Sequence, residues 1–267
     1  MKGPTRVETL PLSRIGTLDV GVIGRSKHHI TGLLEVDVTA ARARLRAMRK
    51  DGATVSFTTW LIKSIAHSLS GMPEAQGILE RRRRRVVFEA VDVALMVERE
   101  VEGTSVPLPM VIRDCQVRSL GEIESEINSA KSQPIEGARD YQLGRRRSMV
   151  LMQLYYGLPQ LLRVWIMKRI LNNPYRRKAM MGTVMVSSVA AGLRFPGWIV
   201  PKSMHNLVFG VGSVVRKPLV VREEVVPRDV LHLTVLIDHD VIDGAPAARF
   251  VSRLVKDLET AVALPVQ

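Results

Sequence analysis

The amino-acid sequence predicts a mixed α/β fold. Three observations carry that expectation. Residues 230–237 are a run of β-branched and large aliphatic side chains in which apolar and polar positions partly alternate, the pattern of a strand. The segment from Gly244 to Leu258 then switches to helical spacing, with Asp243 placed as an N-cap and Pro246 in the first turn. The same succession occurs near the other end of the chain, where residues 33–38 alternate and residues 40–50 are rich in Ala, Arg, Leu and Met.

Taken in order, residues 1–33 read as an N-terminal arm. Gly16, Gly21 and Gly24 argue against a helix, so residues 17–23 are expected as a short strand or extended segment. The strand at 33–38 is followed by Thr39 as N-cap of the helix 40–50. Ser56 and Phe57 open a second helix, whose Leu61, Ile62, Ile65, Ala66 and Leu69 recur three and four apart, and Gly71-Met72-Pro73 ends it. Five consecutive arginines at 81–85 read as a solvated loop before a strand at 86–88. Residues 90–97 and 106–112 read as strands, and 119–130 as an amphipathic helix with Leu120, Ile123 and Ile127 on one face. Residues 149–171 are apolar but interrupted by Gln153, Gln160 and Arg163. A bilayer span needs about 20 residues almost free of charge, so two helices broken at Gly157-Leu158-Pro159 are expected instead. Residues 182–188 read as a buried strand, and 207–214 and 219–221 as two more, with Arg216-Lys217-Pro218 as the turn between them.

Composition narrows the function classes. Of 267 residues, 39 are Lys or Arg and 26 are Asp or Glu, a formal charge of +13, which calls for an anionic partner. Only 4% of residues are aromatic and none interleave with the arginine run, which disfavours nucleic acid. The single cysteine, Cys115, excludes a disulfide framework and a cysteine-based zinc site, and His28 and His29 have no acidic cluster beside them, so no metal site is expected. The N-terminus lacks an apolar run of signal-peptide length, which makes the cytoplasm the expected compartment, with membrane association as the variant.

The chemistry points to His239, held between a strand and a helix. An imidazole there can take a proton from a nucleophile and return it to a leaving group. Asp243, four residues on, is near enough to organise the loop. Read from the local pattern alone, a lone His beside an Asp N-cap is also simply a turn. Ser187, in the strand at 182–188, is by residue type alone a core hydroxyl bonded to backbone, with Ser188 as its rival if the register slips by one.

Four motifs in order change that balance. His239-Asp240-Val241-Ile242-Asp243-Gly244, preceded by Asp238 and followed by Ala245-Pro246-Ala247-Ala248-Arg249-Phe250, resembles the His-x-x-x-Asp-Gly signature of the catalytic domain of 2-oxo acid dehydrogenase acyltransferases, the E2 components, shared with chloramphenicol acetyltransferase. Gly182-Thr183-Val184-Met185-Val186-Ser187-Ser188 resembles that family's Gly-Thr-x-x-x-Ser strand. Phe209-Gly210-Val211-Gly212-Ser213-Val214 with Lys217-Pro218 resembles its next strand. Pro109-Met110-Val111-Ile112-Arg113-Asp114 with Ser119-Leu120-Gly121-Glu122-Ile123 resembles its central strand and helix. The matching segments run from about Leu34 to Leu258, so residues 34–267 are expected as one catalytic domain.

The resemblance implies a chloramphenicol acetyltransferase-like fold, a mixed sheet flanked by helices, assembled as a trimer with active sites between subunits and capable of larger assembly. It implies CoA-dependent acyl transfer to a thiol or hydroxyl acceptor, with His239 as general base, Ser187 stabilising the oxyanion and Asp243 holding the loop and the imidazole. The CoA-binding residues are unknown, and neither a lipoyl group on this chain nor a metal is called for. The chain departs from the family in two places. Family members carry a basic helix after the Pro11-Leu12-Ser13-Arg14 start, and they have a short connection where this chain has a helical insertion at about 131–181. The segment ahead of the motifs has no room for a lipoyl domain, so a stand-alone enzyme fed by acyl-CoA or an acyl carrier protein is expected. The rival is a non-catalytic trimeric scaffold that docks acidic partners or membrane through its basic patches. For the insertion the readings are packing on the domain or a neighbouring subunit, an interfacial membrane helix, or a lid over a long acyl chain.

Overall fold

The computed structural model describes residues 5–6, 12–81, 84–101, 104–132, 154–188, 193 and 195–265. Helix α1 (Leu12–Gly24) leads into strand β1 (His29–Asp37) and helices α2 (Thr39–Lys50) and α3 (Phe57–Ser70). A 3-10 turn (Pro73–Gln76) precedes β2 (Ile78–Arg81), β3 (Arg84–Val86), β4 (Val93–Val101), β5 (Thr104–Ile112) and α4 (Leu120–Ser132). Then come α5 (Gln160–Leu171), α6 (Pro174–Met181), β6 (Val184–Ser188), β7 (Leu207–Val221), β8 (Glu224–Asp238) and α7 (Gly244–Glu259).

Six strands make one mixed sheet in the order β1-β8-β7-β6-β4-β5, in which β6 runs parallel to both of its neighbours and the other pairs are antiparallel. Side chains alternate across a strand, so every second residue faces the same layer. Val184 and Val186 of β6, Leu207 and Phe209 of β7, and Leu233, Val235 and Ile237 of β8 form one core with α3 and α7, which contribute Trp60, Ile65, Phe250 and Leu254. The opposite face is covered in part by residues 195–206: Gly210 and Gly212 bring β7 so close to this segment that a Cβ on them would lie 2.6 Å from Ile199 O and 2.3 Å from Gly197 O. The fold is therefore the mixed α/β sheet with helices that the sequence predicts.

Three local expectations are corrected. Residues 17–23 lie in helix α1, not in an extended segment, and β1 begins at His29, so the boundary after residue 33 falls inside a strand. Tertiary contact overrides the low helix propensity of the glycines. Gly16 sits where a Cβ would lie 3.1 Å from the Tyr156 hydroxyl, Gly24 lies against the Ser203 backbone, and Asp19 is buried on Arg163. The arginine run is not a loop followed by a strand at 86–88. Its described part ends β2 and forms β3, two strands of a separate hairpin in which Glu80 and Arg84 pair at 3.1 Å. Arg82 and Arg83 lie outside the described residues. Finally, Arg216-Lys217-Pro218 is not a turn: β7 runs on through it as one strand with an irregularity between Val211 and Val214, and the chain reverses at Arg222-Glu223, both at positive φ.

Of the insertion, residues 133–153 lie outside the described residues. The break at Gly157-Leu158-Pro159 is present, and Pro159 is the N-cap of α5. Helix α6, opened by Pro174 behind the Asn173 cap, is an element the sequence reading did not separate. No helix among the described residues is long and apolar enough to cross a membrane. Val164 and Leu171 of α5 cluster with Ile23 of α1 and Met181 of α6, and α5 is tied to α1 by a buried pair in which Arg163 Nε and Nη2 donate to Asp19 at 2.8 and 3.0 Å.

Candidate active site

Between Asp238, which ends β8, and Gly244, which starts α7, the chain makes a tight turn in which the Val241 and Ile242 amides donate to Asp238 O at 2.9 and 3.3 Å. Val241 and Ile242 are buried, whereas His239, Asp240 and Asp243 are exposed. The apolar pair seats the turn on the domain and the polar residues face outwards, so the imidazole is displayed on a fixed platform.

The platform is fastened by three residues from two other parts of the chain. Lys27 Nζ donates to Asp238 Oδ2 at 2.8 Å and to Asn206 Oδ1 at 2.7 Å. The His239 amide donates to His28 O at 2.9 Å, continuing the β1–β8 ladder by one residue, and the His28 ring bonds Asp240 at 3.0 Å. Arg85, from the arginine run, donates to Val241 O at 2.7 Å. The hydrogen bond to Asp240 raises the pKa of His28. Burial lowers the pKa of Lys27, helped by the nearby Arg177 and opposed by Asp238. Asp243 occupies the N-cap of α7 with extended backbone (φ −73°, ψ 165°), as the sequence predicts, but its carboxylate makes no cap hydrogen bond. The fastening of the turn comes from Lys27, His28 and Arg85.

Beneath the turn lies a buried polar layer. Arg177 Nη2 donates to Asn206 Oδ1 at 2.8 Å and to Met204 O at 2.6 Å, and burial pulls its pKa down to about 10. His205, fully buried, bonds Met181 O at 2.7 Å and the Ser203 hydroxyl at 3.0 Å, and burial pushes its pKa down to about 3. Sequence reading missed these groups because no local pattern marks them: apart from Ser203 beside His205, their partners are distant in sequence and are brought together by the fold.

Ser187 lies in β6, half-buried, paired with Gly210 of β7. It shares a face with Met185, away from the helical core, while Ser188 falls in line with Val184 and Val186 on the core side. The entry to β6 is tightly fixed. Gly182 has φ +75°, and a Cβ there would lie 2.6 Å from Asp92 O. Asp92 in turn accepts from Arg113 (2.8 Å) and Lys178 (2.6 Å), and Thr183 donates to Gln76 at 2.7 Å.

Ser187 and His239 do not meet within one chain. Ser187 is level with Gly210, and Gly210 with Thr234 of β8. From Thr234 to His239 is five residues, about 17 Å along the strand, and two strand spacings add about 10 Å sideways, so the two side chains stand roughly 20 Å apart. Among the described residues no group of three or more His, Cys, Asp or Glu side chains is arranged to hold a metal ion.

Comparison with known proteins agrees with the motifs. The dihydrolipoyllysine-residue succinyltransferase component of 2-oxoglutarate dehydrogenase complex 1 of Arabidopsis thaliana is 24% identical over 234 residues, covering 84% of this chain and 41% of the relative. The dihydrolipoyllysine-residue acetyltransferase component of the pyruvate dehydrogenase complex of Bacillus subtilis is 24% identical over 245 residues, covering 87% of this chain and 46% of the relative. The chain thus spans less than half the length of either. Among solved structures, the cubic core of the pyruvate dehydrogenase multienzyme complex superposes with a TM-score of 0.68 at 20% identity over 99% of this chain and 98% of that one, which shows the shared fold. The family model for the 2-oxoacid dehydrogenases acyltransferase catalytic domain matches residues 14–143 and 182–265, leaving out residues 144–181, which are most of the insertion, and the two ends. The chain belongs to this family of acyltransferase catalytic domains.

Proposed function

We propose that the protein is a CoA-dependent acyltransferase that moves an acyl group between a thioester and a thiol or hydroxyl acceptor, with His239 as general base. The observation that carries this reading is an exposed imidazole on a turn fastened by Lys27, His28 and Arg85. Such a group holds its position without losing access to a substrate. His239 takes the acceptor's proton as the acceptor attacks the acyl carbon. Ser187 then donates a hydrogen bond to the oxyanion that develops on the carbonyl, and the proton returns to the departing thiolate.

The separation of roughly 20 Å inferred from strand register means that one protomer cannot bring these two groups to one carbonyl. The active site we propose lies between two copies, His239 from one and Ser187 from the next, in a homotrimer able to assemble further. Rings of this kind repeat one heterologous interface until they close. The acyl donor is acyl-CoA or an acyl carrier protein, whose phosphates suit a chain of formal charge +13. The test is a panel of acyl-CoA donors with dihydrolipoamide or a simple alcohol as acceptor, read as CoA release resolved by chromatography, because a thiol acceptor consumes one thiol for each one released. Acceptor-dependent release lost in His239→Ala, with the circular dichroism spectrum unchanged, supports the reading. Unchanged turnover in that variant refutes it and leaves the scaffold reading.

A further inference from the structure

Helix α5 is built inside out for a helix packed on a soluble domain. Its buried face carries a charge, Arg163, neutralised by Asp19, while its outward face carries Leu161 (86% exposed), Leu162 (42%) and Trp165 (60%). These three are not scattered. At 100° per residue Leu161, Trp165, Lys168, Arg169 and Leu162 share one arc of the helix, with the apolar residues in the first two turns and the cations in the last. Lys168, Arg169 and Arg176 are exposed, and among the described residues none of them has an ion-pair partner. Over residues 141–181 the sequence holds nine Lys or Arg and not one Asp or Glu. The family match stops at 143 and resumes at 182, so this surface is built by a segment outside the family match.

We infer that the outward face of α5 docks the protein on an anionic lipid surface, with Leu161, Leu162 and Trp165 entering the headgroup region and Lys168 and Arg169 contacting lipid phosphates. A tryptophan beside leucines, flanked by unpaired cations, is matched to an interface that is apolar below and negatively charged above. An acidic protein would satisfy the cations but not a large apolar face without carboxylates of its own in register. A further copy of this chain would set the cations of one α5 against those of another. The helix is too short and too charged to span, so the contact is peripheral and reversible. Because α5 rests on α1 through the Asp19–Arg163 pair, docking places the domain on the membrane as a rigid body.

The experiment uses the full chain with vesicles of phosphatidylcholine alone and of phosphatidylcholine mixed with phosphatidylglycerol. The wild type is expected to sediment with the mixed vesicles and not with phosphatidylcholine alone, to lose binding as salt is raised, and to shift its tryptophan emission to the blue. Leu161→Ser/Trp165→Ser should weaken vesicle binding by at least about tenfold, with acyl transfer to a soluble acceptor and the sedimentation coefficient unchanged. No binding to mixed vesicles, equal binding by the double variant, or a double variant that keeps its lipid affinity but changes oligomeric state would overturn the inference. The last outcome would reassign the face to a protein contact. None of these outcomes depends on the catalytic reading.

Discussion

Replacing Lys27 by Met removes the ammonium beneath the catalytic turn while nearly keeping the side chain's length. Two hydrogen bonds go, at 2.8 Å to Asp238 and 2.7 Å to Asn206, but their loss is unequal. Asn206 Oδ1 keeps Arg177, whereas Asp238 is 1% exposed in its side chain and its Oδ1 already has no partner. Nearly all the cost therefore falls on one buried carboxylate. Breaking a buried pair by removing one partner costs about 3–5 kcal/mol, and the 19% exposure of Lys27, which lets water approach, favours the lower end, about 3 kcal/mol. Asp238→Asn makes the stranded group neutral, so Lys27→Met/Asp238→Asn should be more stable than the sum of the single variants by about 1.5 kcal/mol or more. Urea unfolding of the four proteins measures this coupling. Acyl transfer on the same samples reads its consequence, since a displacement of the turn by about 1 Å is worth roughly a hundredfold in rate. A single variant within about 1 kcal/mol of wild type, or strictly additive effects, would show that Lys27 does not hold the turn.

Other perturbations probe separate parts of the account. Ser187→Ala should lower the rate constant by about a hundred- to a thousand-fold with little change in donor affinity, and Ser188→Ala should not; equal losses in steady-state assays would put the register in doubt. His205 is held neutral with a pKa near 3, below its value in the unfolded chain, so the unfolded state binds the extra proton and stability falls as pH drops below about 6.5. Between pH 7 and 5 this group alone should cost about 2 kcal/mol, and His205→Gln should flatten that slope in pH-dependent unfolding even if it is less stable throughout. Gly182→Ala meets both a positive φ and the Asp92 carbonyl at 2.6 Å, and should cost more than about 2 kcal/mol in thermal or urea unfolding; a smaller loss would mean that the entry to β6 yields easily.

What was legible in the sequence follows from how local each cause is. Strands at β1, β8 and β6 and helices α2, α3, α4 and α7 announce themselves by periodicity, and Ser56 does accept from the Thr59 amide as its position predicts, whereas Thr39, expected as a cap, is the first residue of α2 behind Val38 and spends its hydroxyl on Asp37 and the Asp229 amide. The turn bearing His239 and the strand bearing Ser187 are visible for the same reason. Helix α1 was not legible, because what makes Gly16 and Gly24 fit is Tyr156 and Ser203 packing against them, and what buries Asp19 is an arginine 144 positions away. Nor was the role of Arg85: a run of arginines reads as solvated charge until the hairpin aims one of them at the Val241 carbonyl. Asp243 marks the opposite case, a residue whose cap position is readable while its side chain leaves the cap unmade.

The central claim is that one reaction centre draws His239 and Ser187 from different copies of the chain. Co-expressing His239→Ala and Ser187→Ala subunits, each nearly inactive alone, tests it directly. If neighbours in a ring share sites, random mixing leaves about one site in four with both groups intact, and the mixture should recover about a quarter of wild-type acyl transfer. A mixture no more active than the two parent variants would contradict the account.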